Sequence, residues 1–394
     1  MDSRAYSPTN PVDVPSVSRM LALAFGGTAD ATGGWVRSAG LENLRVLRGE
    51  DHEPVACHLQ IPMGQYFGGR SVPLVGIAGV AVPPERRGRG LALSMMKECV
   101  REIASRGVAL SGLYASTQAL YRQVGYEQAG ERFQVRVPVV RFAGAGKARD
   151  IVALGPEHND AVARCYNAFA SRFTGPLNRG EYIWNRVRSS RGVDYYGFGV
   201  MEEGEIRAYV YLASERKPDT GRQDLMLSDI AFASVGAARQ IIAFLADFEP
   251  MADEVVFHGS SLHPLLTLLP QQRYKVSLRD YWLIRVTDVA AALQARGYPA
   301  GLKQAVTFDV RDELIGTNNG LWTLRVNDGA AEAERGGDGS RAIACDVRAL
   351  ASIYAGLYSC TQAALLGMCE GPESALRAAD AVFAGNTPWM SDMY

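Results

Sequence analysis

No stretch of this chain reaches the ~20 consecutive apolar residues needed to cross a bilayer, so no transmembrane helix is expected. Charge of neither sign is in excess: 41 Lys and Arg stand against 42 Asp and Glu. That balance argues against a nucleic-acid partner and against attachment to an anionic membrane. The six cysteines, at 57, 99, 165, 345, 360 and 369, make no C-x-x-C pair and no regular framework, as reduced core thiols would. Five histidines without H-E-x-x-H or comparable spacing give no metal motif, and no metal is expected. Met1-Asp2-Ser3-Arg4 leads into no apolar h-region, so the expectation is a cytoplasmic protein without a signal peptide.

What is present is a globular composition, 47% apolar and 21% charged, over 394 residues. That is too long for one ordinary core, and two or three domains are expected. The chain is organised around Val80-Ala81-Val82-Pro83-Pro84-Glu85-Arg86-Arg87-Gly88-Arg89-Gly90-Leu91-Ala92. The apolar, glycine-punctuated run from Val72 to Val82 reads as a central strand. Leu93, Met96, Val100 and Ile103 then recur at helical spacing until Gly107. Between strand and helix lie two glycines and three arginines, and free N–H groups at a helix start suit a phosphate or pyrophosphate. No Gly-Lys-Ser/Thr follows the glycines and G-x-G-x-x-G spacing is absent, so the loop is neither a Walker A nor a Rossmann fingerprint. An exposed basic helix start is the plainer alternative.

Around that stretch, Val14 to Phe25 reads as an amphipathic helix ended by Gly26-Gly27, and a second short helix carries Trp35. Strands follow at Leu44 to Arg48 and Val55 to Ile61, with a turn from Gly64 to Arg70. Val108 to Ala115 is a strand parallel to the organising one, and Phe133, Val135 and Val137 alternate as a strand that closes a mixed α/β domain. Ala143 to Asp150 is a small, flexible linker. Beyond it the strand-turn-helix pattern repeats, but its turn, Ala233-Ser234-Val235-Gly236-Ala237-Ala238, has one glycine and no arginine. Residues 286–394 read as a short helix, three strands and three further helices.

The loop Arg87-Gly88-Arg89-Gly90-Leu91-Ala92 resembles the acetyl-CoA signature of the GNAT N-acetyltransferases, R/Q-x-x-G-x-G/A. Leu120-Tyr121-Arg122-Gln123-Val124-Gly125-Tyr126 resembles a second GNAT segment, in which the first tyrosine protonates the departing thiolate. A phenol suits that task, because its unperturbed pKa of ~10 lies above that of a thiol. The alternative for Tyr121 is packing of a short helix; Tyr126 is read as packing. With the Val289 to Tyr298 segment and the Ala381-Val382-Phe383-Ala384 approach to an aromatic end, the whole chain resembles the enhanced intracellular survival (Eis) acetyltransferases.

The resemblance implies an α/β fold class: tandem GNAT folds, the second degenerate, followed by a sterol carrier protein-like α+β domain. The implied domains are 1–145, 146–285 and 286–394. It implies an acetyl-CoA-dependent N-acetyltransferase acting on a primary amine, either a small molecule such as an aminoglycoside or polyamine, or lysine. Val80, Ala81, Val82, Arg87, Gly88, Arg89, Gly90, Leu91, Ala92 and Ser116 would bind acetyl-CoA. Tyr121 would be the acid and the terminal carboxylate of Tyr394 the base, while Phe25 and Trp35 would line the acceptor channel, and a homohexamer is implied. Physically, a docked terminal carboxylate can accept the amine's proton, and apolar Trp389, Met390 and Met393 favour a docked tail over a frayed one. Two positions depart from the family: Met393 and Gly27 stand where acids are common. The competing reading is a non-catalytic acyl-CoA or lipid-binding protein on the same scaffold.

Overall fold

The computed structural model describes residues 5–144 and 146–394, so Met1 to Arg4 and position 145 of the expected linker lie outside the described residues. Contacts divide the chain into two compact units. One runs to Ala129 and adds Tyr281–Thr387 and Tyr394; the other is Gly130–Asp280 with Pro388–Met393.

In the first unit β1 (Tyr6–Pro8), α1 (Val14–Phe25), α2 (Ala29–Ser38), β2 (Leu44–Arg48), β3 (Pro54–Phe67) and β4 (Arg70–Ala81) follow in order. Then come α3 (Leu91–Ser105), β5 (Leu110–Tyr114) and α4 (Gln118–Arg122). β1 to β4 are antiparallel neighbours, and β5 lies parallel to β4 as expected. The turn expected from Gly64 to Arg70 is tighter. Pairing continues to Phe67↔Arg70, leaving only Gly68-Gly69, both at positive φ, as a two-residue hairpin loop demands. Against Val75, Ile77 and Leu113 of the central strands α3 packs Met96, Cys99, Val100 and Ile103, which makes the core behind the site.

The strand expected to close this domain, around Phe133 to Val137, does not do so. The other side of β5 is taken by residues 282–286, in the antiparallel register Trp282↔Tyr114 to Val286↔Leu110. Arg285, on that strand, is fully buried against Asp312 at 2.7 Å and donates to the Val124 carbonyl at 2.8 Å. The unit ends in a five-stranded sheet of Lys303–Arg311, Gly320–Asn327, Ala330–Arg335, Ile343–Asp346 and Cys369–Glu370, with helices Val289–Ala295, Val347–Ala355, Cys360–Leu365 and Glu373–Val382.

In the second unit the Phe133 to Pro138 stretch pairs with Ala252–Gly259, and Val135 and Val137 are buried with Leu225, Val255 and Phe257. Alternation identifies a strand but not the sheet that receives it. Gln223–Phe232 runs parallel to Ala252–Gly259 and antiparallel to Glu205–Arg216, followed by Tyr196–Glu202 and Ile151–Leu154 at the edge. Helices Asn159–Ala170, Glu181–Arg188 and Val235–Ala246 belong to the same unit.

Candidate active site

β4 and β5 pair only from Leu74↔Leu110 to Ile77↔Leu113, although β4 runs on to Ala81. Past Ile77 no strand among the described residues pairs with that side of β4. Backbone groups of Ala78 to Ala81 can therefore pair with an extended ligand laid in the gap. Pro83 and a short turn, Pro84–Arg86, lead into α3. Gly88 and Gly90 have φ of +75° and +71°, a region that side chains rarely enter. Gly90 offers no side-chain oxygen, so the first N–H groups of the 15-residue α3 have no side-chain cap. Arg87, Gly88, Arg89 and Gly90 are exposed, Leu91 is buried and Ala92 half-buried. Arg87 Nε donates to the Val82 carbonyl at 3.2 Å, folding the loop back on its own strand. Open N–H groups, the positive end of a long helix and neighbouring guanidiniums fit the pyrophosphate of a nucleotide-tailed cofactor.

Tyr121, on α4, is 5% exposed, sits among α3 and β5 side chains, and meets the Tyr126 ring edge-on at 6.1 Å. Burial pushes its phenol up to about 12, and Cys99 acts in the same direction. At neutral pH it is a proton donor only. Tyr126 is fully buried and bonds Ser111 Oγ at 2.7 Å, which donates on to the Val75 carbonyl at 2.9 Å; its part is packing. Ser116 is exposed in the turn between β5 and α4.

The Tyr394 ring lies across a pair of glycines. Gly76 and Gly112 face each other in the β4–β5 register. A Cβ on Gly76 would stand 2.8 Å from Tyr394 Cε2, and one on Gly112 would stand 2.9 Å from its hydroxyl. The ring also meets Tyr114 at 5.8 Å. By strand alternation this face is opposite the one carrying Val75, Ile77 and α3. Glycine inside a strand is a signal of close approach, and it was available in the sequence.

Trp35 is half-buried, with Cη2 2.9 Å from where a Gly79 Cβ would stand, at the irregularity where β4 shifts register against β3. Phe25, at the end of α1, is 62% exposed. Two other ionisable groups of this unit are committed elsewhere. Burial alone would raise Glu102, but bonds from Arg45, Tyr6 and Gln60 hold it below its ordinary range. His58 is fully buried and pushed down to about 3 by that burial.

The second unit repeats the geometry without the cradle. Gln223–Phe232 and Ala252–Gly259 likewise pair only as far as Met226↔Val256. Beyond that point Asp229, Phe257, His258, Tyr166, Phe169 and Trp389 leave a cavity of about 10 Å³, room for one water. The Ser234 hydroxyl accepts from Ala237 N–H at 3.0 Å and so occupies the helix start that Gly90 leaves open. In this unit Pro388 to Met393 is held closely. Glu131 N–H donates to the Pro388 carbonyl at 3.1 Å and Met390 N–H to the Glu131 carbonyl at 3.2 Å. Asp392 pairs with Arg179 at 2.9 Å, and Arg179 also grips Asp229. Burial raises the Asp392 carboxyl against the pull of Arg179. Nothing local in the sequence signals this buried triad.

Residues 5–129 match the model of an acetyltransferase (GNAT) domain, residues 175–286 match another, and residues 289–391 match a sterol carrier protein domain. A GCN5-related N-acetyltransferase from Anabaena variabilis superposes with a TM-score of 0.92 at 30% identity, covering 99% of this chain and 100% of that one. The structure of Eis1 from Mycobacterium abscessus shares the fold, with a TM-score of 0.79 at 22% identity over 99% of this chain and 100% of that one. N-acetyltransferase Eis of Mycobacterium tuberculosis is 26% identical over 334 residues, 80% of this chain and 79% of the relative.

The chain belongs to the GCN5-related N-acetyltransferases, with two GNAT domains ahead of a sterol carrier protein-like domain, and its cosubstrate is acetyl-CoA. Within that class it is similar to the N-acetyltransferase Eis over 80% of its length. No described helix is long and apolar enough to cross a membrane, and no described group of three His, Cys, Asp or Glu side chains could hold a metal ion.

Proposed function

We propose that this enzyme passes the acetyl group of acetyl-CoA directly to a primary amine, with Tyr121 as general acid and the terminal carboxylate of Tyr394 as general base. The observation that carries the reading is the Tyr394 ring seated across Gly76 and Gly112, one register pair before β4 and β5 part. Acetyl-CoA supplies an activated thioester. Val80, Ala81 and Val82 hold its extended arm by backbone pairing, and Arg87 to Ala92 hold its phosphates, with Ser116 beside them. N–H groups of β4 that face the gap stabilise charge on the thioester oxygen. Tyr121, kept protonated by burial, gives its proton to the leaving thiolate. The amine attacks in its neutral form, and the Tyr394 carboxylate takes up the proton released.

Trp35, packed at the β4 irregularity, and Phe25 line the acceptor's approach. The acceptor is a small-molecule amine of aminoglycoside or polyamine type, or a lysine. Met393 and Gly27 remove two negative charges from the pocket, which weakens attraction for a polycation. The working form is a cytoplasmic homohexamer. The test is acetyl-CoA-dependent thiol release with aminoglycosides, polyamines and lysine peptides, on the native chain and on one extended by a few residues past Tyr394. Activity that collapses on extension supports the carboxylate; equal activity removes it and keeps the transferase. Binding of CoA with no release on any amine favours the non-catalytic binding protein.

A further inference from the structure

Three of the six cysteines gather in the C-terminal part of the first unit. Cys345 and Cys369 are register partners between Ile343–Asp346 and Cys369–Glu370. Cys360 opens the helix Cys360–Leu365, and its Sγ lies 3.9 Å from Cys369 Sγ, with both thiols free. Cys369 lines a groove of about 1200 Å³ with Asp309, Arg311 and Glu370, whereas Cys360 lies behind it and is 1% exposed.

We propose that Cys360 and Cys369 are a peroxide-sensitive dithiol, oxidised to a disulfide by a hydroperoxide that enters through the groove. The sulfurs stand about 2 Å beyond bonding distance. The closing movement is small: Cys369 is on a two-residue edge strand, and the turn before it has Gly367 at φ +69°. Access divides the two roles. Cys369 lines the groove, whereas Cys360 is 1% exposed and its carbonyl accepts from the Cys369 thiol at 3.5 Å. Cys369, which the peroxide reaches first, is therefore the attacking sulfur and Cys360 the resolving one.

The step balances. Cys369 sulfur attacks one peroxide oxygen, the O–O bond breaks, and the departing hydroxide takes up the thiol proton as water, leaving a sulfenic acid. Cys360 sulfur then attacks the Cys369 sulfur and expels hydroxide, which takes the Cys360 proton as a second water. Two thiols and one hydrogen peroxide give one disulfide and two waters. Cys57 and Cys165 are buried singly and pushed up to about 12, so they serve as internal controls.

The test uses the full chain and a few equivalents of hydrogen peroxide, followed by catalase, denaturation in N-ethylmaleimide and tryptic mass mapping. Cys360 and Cys369 share the tryptic peptide 349–377, and Cys345 lies alone in 342–348. The expected result is that 349–377 carries no maleimide and runs about 2 Da below the free dithiol, reverting on reduction. The peptides with Cys57 and Cys165 stay labelled. Cys360→Ser should instead leave Cys369 as a sulfenic or sulfinic acid. The proposal is overturned if 349–377 keeps both labels at peroxide levels that begin to oxidise Cys57, or if the product is 342–348 joined to 349–377.

Discussion

Two glycines decide where Tyr394 can rest. Alanine at Gly76 would put a methyl 2.8 Å from the Tyr394 ring and 2.6 Å from Met63 Cε; at Gly112 it would lie 2.9 Å from the hydroxyl and 3.2 Å from Leu74 Cδ1. An alanine in a strand gains roughly 0.5–1 kcal/mol over glycine in chain entropy. Overpacking costs about 1–3 kcal/mol, so the clash wins and the ring moves. Gly112→Ala should therefore lower kcat about tenfold or more with the KM for acetyl-CoA nearly unchanged, read by steady-state kinetics. An unchanged kcat would mean that Tyr394 has no part in the reaction. Tyr121→Phe tests the other proton. General acid catalysis contributes roughly 10²- to 10⁴-fold, so kcat should fall within that range while CoA binding, followed by calorimetry, persists.

At the scale of elements, the two GNAT domains form a natural control. Each presents a parallel strand pair that parts and a helix that starts beyond it, but Gly90 leaves the helix start open and Ser234 fills it. Gly90→Ala must hold φ near +71° with a Cβ, at about 1–2 kcal/mol. It should weaken acetyl-CoA binding by roughly 5- to 30-fold if that loop shape is what the phosphates need. Ser234→Ala should cost about 1 kcal/mol of stability through the lost cap and leave acetyl-CoA affinity alone. Equal effects of both changes on affinity would mean that the cradle is not where the glycines and arginines put it. This contrast was legible in the sequence because strand, turn and helix signals are local. The Phe133 to Pro138 strand was legible as a strand, but its partner Ala252–Gly259 lies over a hundred residues on, and alternation cannot name it. Trp389, Met390 and Met393 were expected only as a docked tail; that Arg179 would meet Asp392 depends on long-range contacts that no spacing encodes.

For the molecule as a whole, the buried histidines set the acid limit. Burial pushes His58 and His258 down to about 3 and His263 to about 4, with the charged neighbours as smaller influences. An unfolded histidine titrates near 6.5, so between that pH and the folded values the unfolded chain binds more protons than the folded one. Stability is then greatest above pH 6.5 and falls as pH drops, by up to roughly 1.4 kcal/mol per pH unit for each group. Asp13 acts in a lower window. Arg48 holds its carboxyl below the usual range, so its contribution is complete above about pH 4 and lost only below that. Melting temperature should thus decline from pH 7 to 5, above the window in which Asp13 titrates. Calorimetry in buffers of different ionisation enthalpy should register proton uptake on unfolding approaching one per buried histidine near pH 5. Because desolvation rather than ion pairing drives these shifts, raising the salt should leave the slope nearly unchanged. A slope that vanishes at high salt would assign the acid sensitivity to surface pairs, and a flat melting temperature between pH 7 and 5 would mean that the three imidazoles reach water in the folded protein.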